Sequence, residues 1–412
     1  MWVKVQILWT NLESVFTSGD IAKHMSSEAK KFQKIDKTWI KTVMEKANDQ
    51  KLIKLCCQNE IIKSVLPSLQ EELEACQKQL EKYLEQKRKE FPRFYFIANA
   101  ALLKFLSQGS DPSAIQDDLD KLFDAISRCG FIEKKKDGKK IPNKVIGSIM
   151  FFMGPDPEKV EFEERNEVIC KGNIEYWLGL LETAMVNTVK DCIRVCNAEI
   201  QVPVKEGFKL DDFLNKSCAQ VALMGLQMKW TKLIQEALEK KSTEKNRAIN
   251  DTKAEINALM DVLTDMCKTD LGTNLNRMKI ETCVTIQVYL KDLTTQWRFR
   301  EATDFDWTKY TRIYWRDEQD HCIISITDWD ATYSYEYLGV KERLCITPLT
   351  DRCYISLAQA LSMMYGGAPA GPAGTGKTET VKDLGRCLGI FVIVTNCSGE
   401  HRYTDMAKIF KG

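Results

Sequence analysis

The chain has 412 residues, of which 44% are hydrophobic and 28% are charged, so it has room for about two or three globular domains and is too apolar to be disordered. Its 59 basic and 58 acidic residues leave a formal net charge of +1, which gives no reason to expect nucleic acid or an anionic membrane as a partner. No apolar run approaches the roughly 20 residues that a membrane-spanning helix needs.

The first part of the chain, to about residue 300, is predicted to be mostly helical from its apolar periodicity. Met1–Trp9 is too short and too interrupted for a signal peptide and has the pattern of a helix interior. We therefore expect the natural chain to extend upstream of this segment.

The clearest predicted helix begins at Ser68, which forms a capping-box pattern with Glu71, and ends at Phe91 before Pro92. Its apolar residues recur at spacings of three and four: Leu69, Leu73, Cys76, Leu80, Tyr83 and Leu84. This seam is compatible with a coiled coil, but it lasts only about two heptads. Packing within a helical bundle is the favoured interpretation.

Two interruptions separate this helix from the next ones. Phe131–Ile141 contains Asp137-Gly138 flanked by lysines, which predicts a solvated tight hairpin, with a polyanion-binding patch as the alternative. Gly154–Pro157 predicts a turn, and no long Ser/Gly tether is present. Four further amphipathic helices are then predicted, at Ile174–Ala198, Asp211–Lys240, Thr243–Cys267 and Met278–Trp297. Together these helices predict a stiff, elongated helical arm.

The residue pattern changes near Asp320. Cys322–Thr327 and Ala331–Tyr337 are β-rich runs that predict an antiparallel hairpin. A helix carrying Leu357, Ala360, Leu361 and Met364 follows the segment Arg343–Asp351. Beyond it, Gly366–Ala370 predicts a short buried strand and turn, and Ile390–Asn396 predicts a buried parallel strand.

Between these two predicted strands lies the phosphate-binding pattern G-x-x-x-x-G-K-[ST], formed by Gly371, Pro372, Ala373, Gly374, Thr375, Gly376, Lys377 and Thr378. A predicted helix follows from Glu379 to Leu388, so the motif has the strand–loop–helix setting that it requires. Glycines let backbone N–H groups surround a phosphate, and the helix adds its positive N-terminal end. We expect Lys377 to reach the β- and γ-phosphates and Thr378 to be a ligand of Mg²⁺.

Fifteen cysteines are present, without a C-x-x-C pair or a Cys/His cluster at zinc spacing. Cys56 and Cys57 are adjacent, and Cys192 and Cys196 lie one helical turn apart on an apolar face. This usage favours buried reduced thiols over a metal site or a disulfide framework.

Several runs of the sequence closely resemble dynein heavy chains. The strongest resemblance lies in Tyr335–Gly339, Ile346–Tyr354 and Gly366–Asp383, which are similar to the start of the first AAA+ module of that motor. Upstream, further runs resemble the dynein linker: Gly19–Ile21, Ile35–Trp39, Tyr83–Arg88, Phe91–Phe96 and Leu275–Glu281. The segments Met1–Lys37 and Gln77–Phe96 are most similar to axonemal outer-arm heavy chains. The resemblance covers essentially the whole chain.

The resemblance implies a helical linker, or lever arm, over residues 1–325, followed by the N-terminal part of the first AAA+ ATPase module over residues 326–412. ATP or ADP with Mg²⁺ would bind the loop, with Glu379 beside it, and the adenine would bind the Leu344–Leu349 segment through Leu344, Ile346, Pro348 and Leu349. The implied partners are microtubules, other dynein heavy, intermediate and light chains, and the remaining AAA+ modules. The implied location is the cytoskeleton of the cytoplasm, at the axoneme of a cilium or flagellum.

The predicted fold is thus mostly α, followed by an incomplete α/β P-loop module. No apolar run ending in Asp-Glu follows the loop, so we expect the chain to hold the binding half of an ATPase site without its general base, and to be a fragment of a larger motor. One alternative is a structural or assembly piece that never hydrolyses nucleotide. An unrelated P-loop kinase or GTPase is disfavoured, because no Asn-Lys-x-Asp follows the loop.

Overall fold

The computed structural model describes residues 1–17, 20–50, 58–109, 112–132, 148–153, 158–269 and 271–412. The prediction of a mostly helical chain is confirmed over these residues. The predicted turn at Asp137-Gly138, the turn at Gly154–Pro157, the Cys56–Cys57 pair and Gly19 lie outside the described residues. Among the described residues, no helix is both long and apolar enough to cross a membrane.

The helices before the first sheet are α1 to α6: Trp2–Phe16, Asp20–His24, Ser26–Thr38, Glu45–Gln50, Glu60–Glu90 and Asn99–Gln108. A π-helical turn, Trp39–Met44, joins α3 to α4, and 3₁₀ turns follow at Pro92–Phe96 and Gln116–Lys121. The later helices are α7 to α15: Ile174–Ile200, Leu210–Lys216, Ala219–Glu239, Ser242–Lys268, Asn274–Gln296, Phe305–Thr308, Pro348–Ser362, Lys377–Leu388 and Tyr403–Ile409.

The predicted start of helix α5 at Ser68 is wrong. The helix begins at Glu60, where the Asn59 side chain accepts hydrogen bonds from the N–H groups of Ile61 and Ile62, at 3.0 and 3.3 Å. Ser68 lies inside the helix. The predicted end before Phe91 is confirmed. The apolar face of α5 packs against α1 and α3, as in a helical bundle.

The predicted helix Asp211–Lys240 is also wrong, because the chain forms two helices, α8 and α9, separated by Ser217 and Cys218 in extended conformations. The break is stabilised by a residue that is distant in sequence: the Glu158 carboxylate accepts a hydrogen bond from the N–H of Ala219 at 2.7 Å. The other predicted helices in this region match α7, α10 and α11 with small shifts at their ends. Helix α9 is central and contacts α7, α10 and α11.

The described part of the chain contains two antiparallel sheets. In the first, β1 (Arg128–Ile132), β2 (Ser148–Met153) and β3 (Lys159–Glu161) are neighbours in that order, and β4 (Val168–Ile169) also pairs with β2. The second has the order β5 (Arg312–Arg316), β6 (His321–Ile326), β7 (Trp329–Thr332), and β5 packs on α9. The predicted hairpin is confirmed as β6–β7, but its second strand ends at Thr332 rather than at Tyr337, and β5 was not predicted.

The two strands predicted around the phosphate loop are wrong. Neither Gly366–Ala370 nor Ile390–Asn396 pairs with another strand in the described part of the chain, and Ile393 and Val394 are 37% and 50% exposed. A parallel strand of this kind is normally buried between neighbours on both sides. Since the described residues offer no neighbouring strand here, neither segment forms a strand.

The cysteine interpretation is confirmed for a group of free thiols that are buried: Cys76, Cys129, Cys170, Cys196, Cys283, Cys322 and Cys387. Burial raises the pKa of the Cys196 thiol, and of the Cys192 thiol to about 11, so these groups are inert at neutral pH. The interpretation does not extend to Cys267, Cys345 and Cys397, which are exposed.

Candidate nucleotide-binding site

The phosphate-loop residues form a turn that leads directly into helix α14. Gly374 and Gly376 have φ values of 77° and 79°, in the left-handed region that favours glycine. Gly376 is the N-cap of α14, a helix of 12 residues, so the unpaired N–H groups of its first turn lie beside the loop. Residues 371–376 are exposed, Pro372 and Ala373 among them. This arrangement has the backbone geometry and the helix dipole that favour an anion.

The Lys377 ammonium lies over the loop. Its Nζ donates a hydrogen bond to the Gly371 carbonyl at 2.9 Å, also contacts the Pro372 carbonyl, and lies 3.4 Å from the Thr375 hydroxyl. The Thr375 hydroxyl in turn donates to the Pro372 carbonyl at 3.0 Å. A cation is therefore held at the site where the sequence predicts the phosphates.

Thr378 and Glu379 occupy the first turn of α14 and are exposed. Glu379 pairs with Lys382 at 2.8 Å, and this hydrogen bond lowers the pKa of the carboxyl group. The described residues contain no cluster of three or more metal-ligating side chains. Mg²⁺ in phosphate sites usually takes one or two protein ligands and completes its shell with phosphate oxygens and water, so the exposed Thr378 hydroxyl fits this role.

The predicted adenine-binding residues are only partly enclosed. Leu344 and Ile346 are half-buried, whereas Pro348 is exposed and Leu349 is 69% exposed. Pro348 is the first residue of α13, whose N-cap Thr347 accepts a hydrogen bond from the N–H of Thr350 at 3.4 Å. The helix cap thus fixes the direction of this segment.

Sequence reasoning missed a buried ionic cluster behind the loop. Asp383, on α14, is fully buried and accepts hydrogen bonds from Nε and an Nη of Arg343, at 2.7 and 3.1 Å, and from the Tyr354 hydroxyl at 2.5 Å. Its carboxylate also lies 3.3 Å from the N–H of Leu344. The sequence did offer one indication of this cluster: Asp383 lies next to Leu384 on the apolar face of an amphipathic helix, where a buried charged residue requires partners.

Opposing effects act on the acid–base groups of this cluster. Burial raises the pKa of Asp383, but the charge and hydrogen bonds of Arg343 outweigh it, so that the pKa lies below its usual value. Burial, together with the nearby Cys387 and Asp383, raises the pKa of the Tyr354 hydroxyl. Burial also raises the pKa of Cys387 to about 11. Asp383 is therefore ionised at neutral pH, and Tyr354 keeps the proton that it donates.

The far end of α14 is joined to the helical region through residues 333–338. The N–H groups of Ser334 and Glu336 donate to the carbonyls of Leu388 and Gly389, at 3.0 and 2.9 Å. Gln220 of α9 reaches the same segment, where its side-chain amide donates to the Tyr333 hydroxyl at 2.6 Å. Both the loop helix and the helical region are thus hydrogen-bonded to a single short segment.

The amide of Gln220 makes two further contacts with this segment. It donates to the Glu336 carbonyl at 2.8 Å and accepts from the N–H of Leu338 at 2.9 Å. Gln220 is buried, so all of its hydrogen bonds are shielded from water. Next to it, the Tyr337 hydroxyl donates to Glu158 at 2.8 Å, which is the carboxylate that also stabilises the start of α9.

Two family profiles match the sequence. The profile described as "Dynein heavy chain, N-terminal region 2" matches residues 1–196. The profile described as "Hydrolytic ATP binding site of dynein motor region" matches residues 333–412, which include the loop, α13 and α14. The two matches therefore fall on the helical region and on the candidate site.

Curated relatives align along the whole chain. They include dynein axonemal heavy chain 5 of Rattus norvegicus, 42% identical, the dynein gamma chain of the flagellar outer arm of Chlamydomonas reinhardtii, 44% identical, and dynein axonemal heavy chain 8 of Homo sapiens, 42% identical. Each alignment covers 100% of this chain but only 11%, 9% and 9% of the relative, respectively. With dynein profiles matching both of its ends and dynein relatives aligned along its full length, the chain belongs to the dynein heavy chain family.

Proposed function

We propose that the chain binds ATP with Mg²⁺ at the Gly371–Thr378 loop, as part of a microtubule motor ATPase. The observation that carries this proposal is the position of Lys377 over a loop bent by two left-handed glycines at the start of α14. Lys377 would bind the β- and γ-phosphates, the amides of Gly374 and Gly376 the β-phosphate, and Thr378 the Mg²⁺ ion. The match to a hydrolytic ATP-binding profile supports the same assignment.

The adenine would lie against the Leu344–Leu349 segment, including Ile346 and Pro348. The half-buried Leu344 supports this role, and the exposed Leu349 leaves apolar surface available to a base. In this proposal residues 1–325 are the linker and residues 326–412 begin the first AAA+ module. Nucleotide-dependent changes would pass from α14 to the linker, since Gln220 and α14 hold the same 333–338 segment.

The axonemal relatives bear out the expected location of the chain in the cilium or flagellum. Microtubule sliding, and assembly with other heavy, intermediate and light chains, are proposals that rest on the same relatives. Both proposals also assume that further AAA+ modules belong to the same motor. The chain spans only 9% to 11% of the relatives' length, so those modules would lie outside this chain.

A second candidate is a structural or assembly piece that does not hydrolyse nucleotide. The observation that favours it is that Gly366–Ala370 and Ile390–Asn396, on either side of the loop, pair with no strand among the residues that the structure describes. The carboxylates of α14 are also engaged elsewhere, since Glu379 pairs with Lys382 and Asp383 is buried. We therefore expect the 412-residue chain by itself to bind ATP without appreciable turnover.

The test is Lys377→Ala, with Lys382→Ala on the same helix as the matched control, because Lys382 pairs with the exposed Glu379 and lies outside the loop. We expect Lys377→Ala to weaken binding of Mg·ATP by about a hundredfold or more, and Lys382→Ala by less than about threefold. Helical content, measured by circular dichroism, should stay unchanged in both variants. Equal ATP affinity in both variants would exclude the loop as the nucleotide site, and robust turnover by the chain would show that a catalytic base had been missed.

A further inference from the structure

The buried carboxylate of Asp383 connects the two halves of the proposed nucleotide site. Asp383 lies on α14, the helix that begins at the phosphate loop, two turns after Lys377. Its partners lie on other segments: Leu344 begins the proposed adenine-binding segment Leu344–Leu349, here called the base segment, Arg343 directly precedes it, and Tyr354 lies on α13. One side chain is therefore bonded to the loop's own helix, to the base segment and to the helix that follows that segment.

The contacts are of a kind that fixes geometry. The two hydrogen bonds from Arg343 are bidentate, and the Arg343 and Asp383 side chains are 6% and 0% exposed. A bidentate pair restricts both distance and orientation, and exclusion of water strengthens it. Arg343 also contacts Cys387 Sγ at 2.8 Å, one turn further along α14, so the guanidinium is held at a second point on the same helix.

The contact between Asp383 and Leu344 is to the backbone rather than to a side chain. The carboxylate therefore fixes the path of the main chain where the base segment begins. From there the chain reaches the cap of α13 at Thr347, and α13 is itself bonded to Asp383 through Tyr354. The base segment is thus held at its start and at the helix that follows it, whereas the phosphate loop has no contact of its own with this cluster among the described hydrogen bonds.

We propose that Asp383, Arg343 and Tyr354 are positioning residues that set the distance between the base segment and the phosphate loop, and so make binding selective for an adenine nucleotide over a bare polyphosphate. This inference rests on the proposed function of the loop. Loosening the cluster should leave Lys377 and the loop able to hold phosphates while the base segment loses its defined position. The selectivity, measured as the ratio of affinities for ATP and inorganic tripolyphosphate, reports this role directly.

The experiment measures equilibrium binding of Mg·ATP and of Mg·tripolyphosphate to the 412-residue chain and to Asp383→Asn. We expect ATP affinity to fall about tenfold in Asp383→Asn, because a buried charged hydrogen-bond network is lost, with tripolyphosphate affinity unchanged within about twofold. Tyr354→Phe removes one hydroxyl from the same carboxylate and is the milder second variant, with an expected loss of about threefold for ATP alone. Circular dichroism and thermal unfolding establish that each variant is folded.

An equal fall in both affinities would overturn the proposal, since the cluster would then act on the loop itself. If folded Asp383→Asn keeps the wild-type ratio of ATP affinity to tripolyphosphate affinity, the proposal is also overturned. If Asp383→Asn does not fold, the same ratio measured in Tyr354→Phe decides the question. Lys377→Ala distinguishes this failure from failure of the proposed function, because it should weaken both ligands together. If Lys377→Ala changes neither affinity, the loop is not the phosphate site and both proposals fall.

Discussion

Arg93 and Glu336 form a bidentate ion pair, with Nη–Oε distances of 2.8 and 2.6 Å, across 243 positions of sequence. Arg93 lies in the 3₁₀ turn after helix α5, and Glu336 lies in the segment bonded to the end of α14. The guanidinium carbon also lies 4.7 Å from the centre of the Phe391 ring. The helical region is thereby joined to the chain on either side of the loop helix.

Weakening this ion pair should destabilise the fold, because Glu336 would remain buried. Arg93→Lys keeps the charge but loses the planar two-donor geometry, which leaves Glu336 buried with a poorer partner. We expect the free energy of unfolding to fall by about 2–4 kcal/mol in chemical denaturation. The control Arg277→Lys changes an exposed pair with Glu281 and should cost less than about 0.5 kcal/mol. Similar small losses in both variants would show that the Arg93 pair has no special role.

Gly389 cannot be replaced without strain. Its φ is +65°, and a Cβ atom built there would lie 2.4 Å from the buried ring of Tyr333. Gly389→Ala should lower the free energy of unfolding by about 2–4 kcal/mol, from left-handed strain and overpacking together. Gly399→Ala is the control, because nothing lies within 4 Å of its Cβ position, and its effect should stay within about 0.5 kcal/mol. Equal unfolding temperatures for the two variants would contradict the close packing at Gly389.

The Asp320 carboxylate should make stability depend on pH in acid. Hydrogen bonds from Arg194 and Lys190 lower the pKa of Asp320 to about 2 in the folded chain. Because the folded-state pKa is depressed, its stabilisation is fully present above the unfolded value of about 4 and is lost as pH falls toward about 2. Asparagine tolerates the positive φ of 51° at this position, so Asp320→Asn changes mainly the charge.

We therefore expect wild type to unfold at a higher temperature than Asp320→Asn above about pH 5, and the difference to shrink toward zero near pH 2. Thermal unfolding followed by circular dichroism at a series of pH values measures it. Other carboxylates titrate in both proteins, so only the difference between the two curves is informative. A constant difference down to the lowest pH would contradict the depressed pKa.

Cys345 offers a chemical probe of the base segment. It is exposed and lies between Leu344 and Ile346, and Cys267, at the end of α10, is an exposed thiol on another element. At an ATP concentration ten times the dissociation constant, alkylation of Cys345 should slow by about tenfold while that of Cys267 is unchanged. Mass spectrometry of alkylated peptides measures both rates in one sample. Unchanged alkylation of Cys345 in the presence of ATP would contradict adenine binding at this segment.

The helices were predictable where their ends depend on local signals. The predicted helix Thr243–Cys267 differs from α10 by one residue at each end, and the end of α5 follows from the proline after Phe91. The strength of the capping pattern at Ser68 was misleading, because Asn59 provides a working cap further upstream. Local periodicity thus identifies an element more reliably than it identifies the first residue of that element.

The remaining features depend on contacts between residues that are far apart in sequence. The break between α8 and α9 is stabilised by Glu158, 61 positions before Ala219, and no local pattern reveals that partner. The same applies to Asp383, whose burial could be suspected from its helix face but whose partner Arg343 lies 40 positions away. Gly371–Thr378 was recognisable because its chemistry is local, whereas the strands beside it needed neighbours that the described residues do not supply.

Helices α14 and α9 both form hydrogen bonds with residues 333–338, and this has a practical consequence for protein production. A cut between Ser325 and Ile326 would divide strand β6. The rings of Tyr333 and Tyr337 are 1% and 0% exposed in the intact chain, and a cut just before Tyr333 would expose both of them to solvent. Large aromatic surfaces uncovered in this way promote self-association in solution. Expression of the loop together with its helical region is therefore the route most compatible with a soluble, assayable preparation.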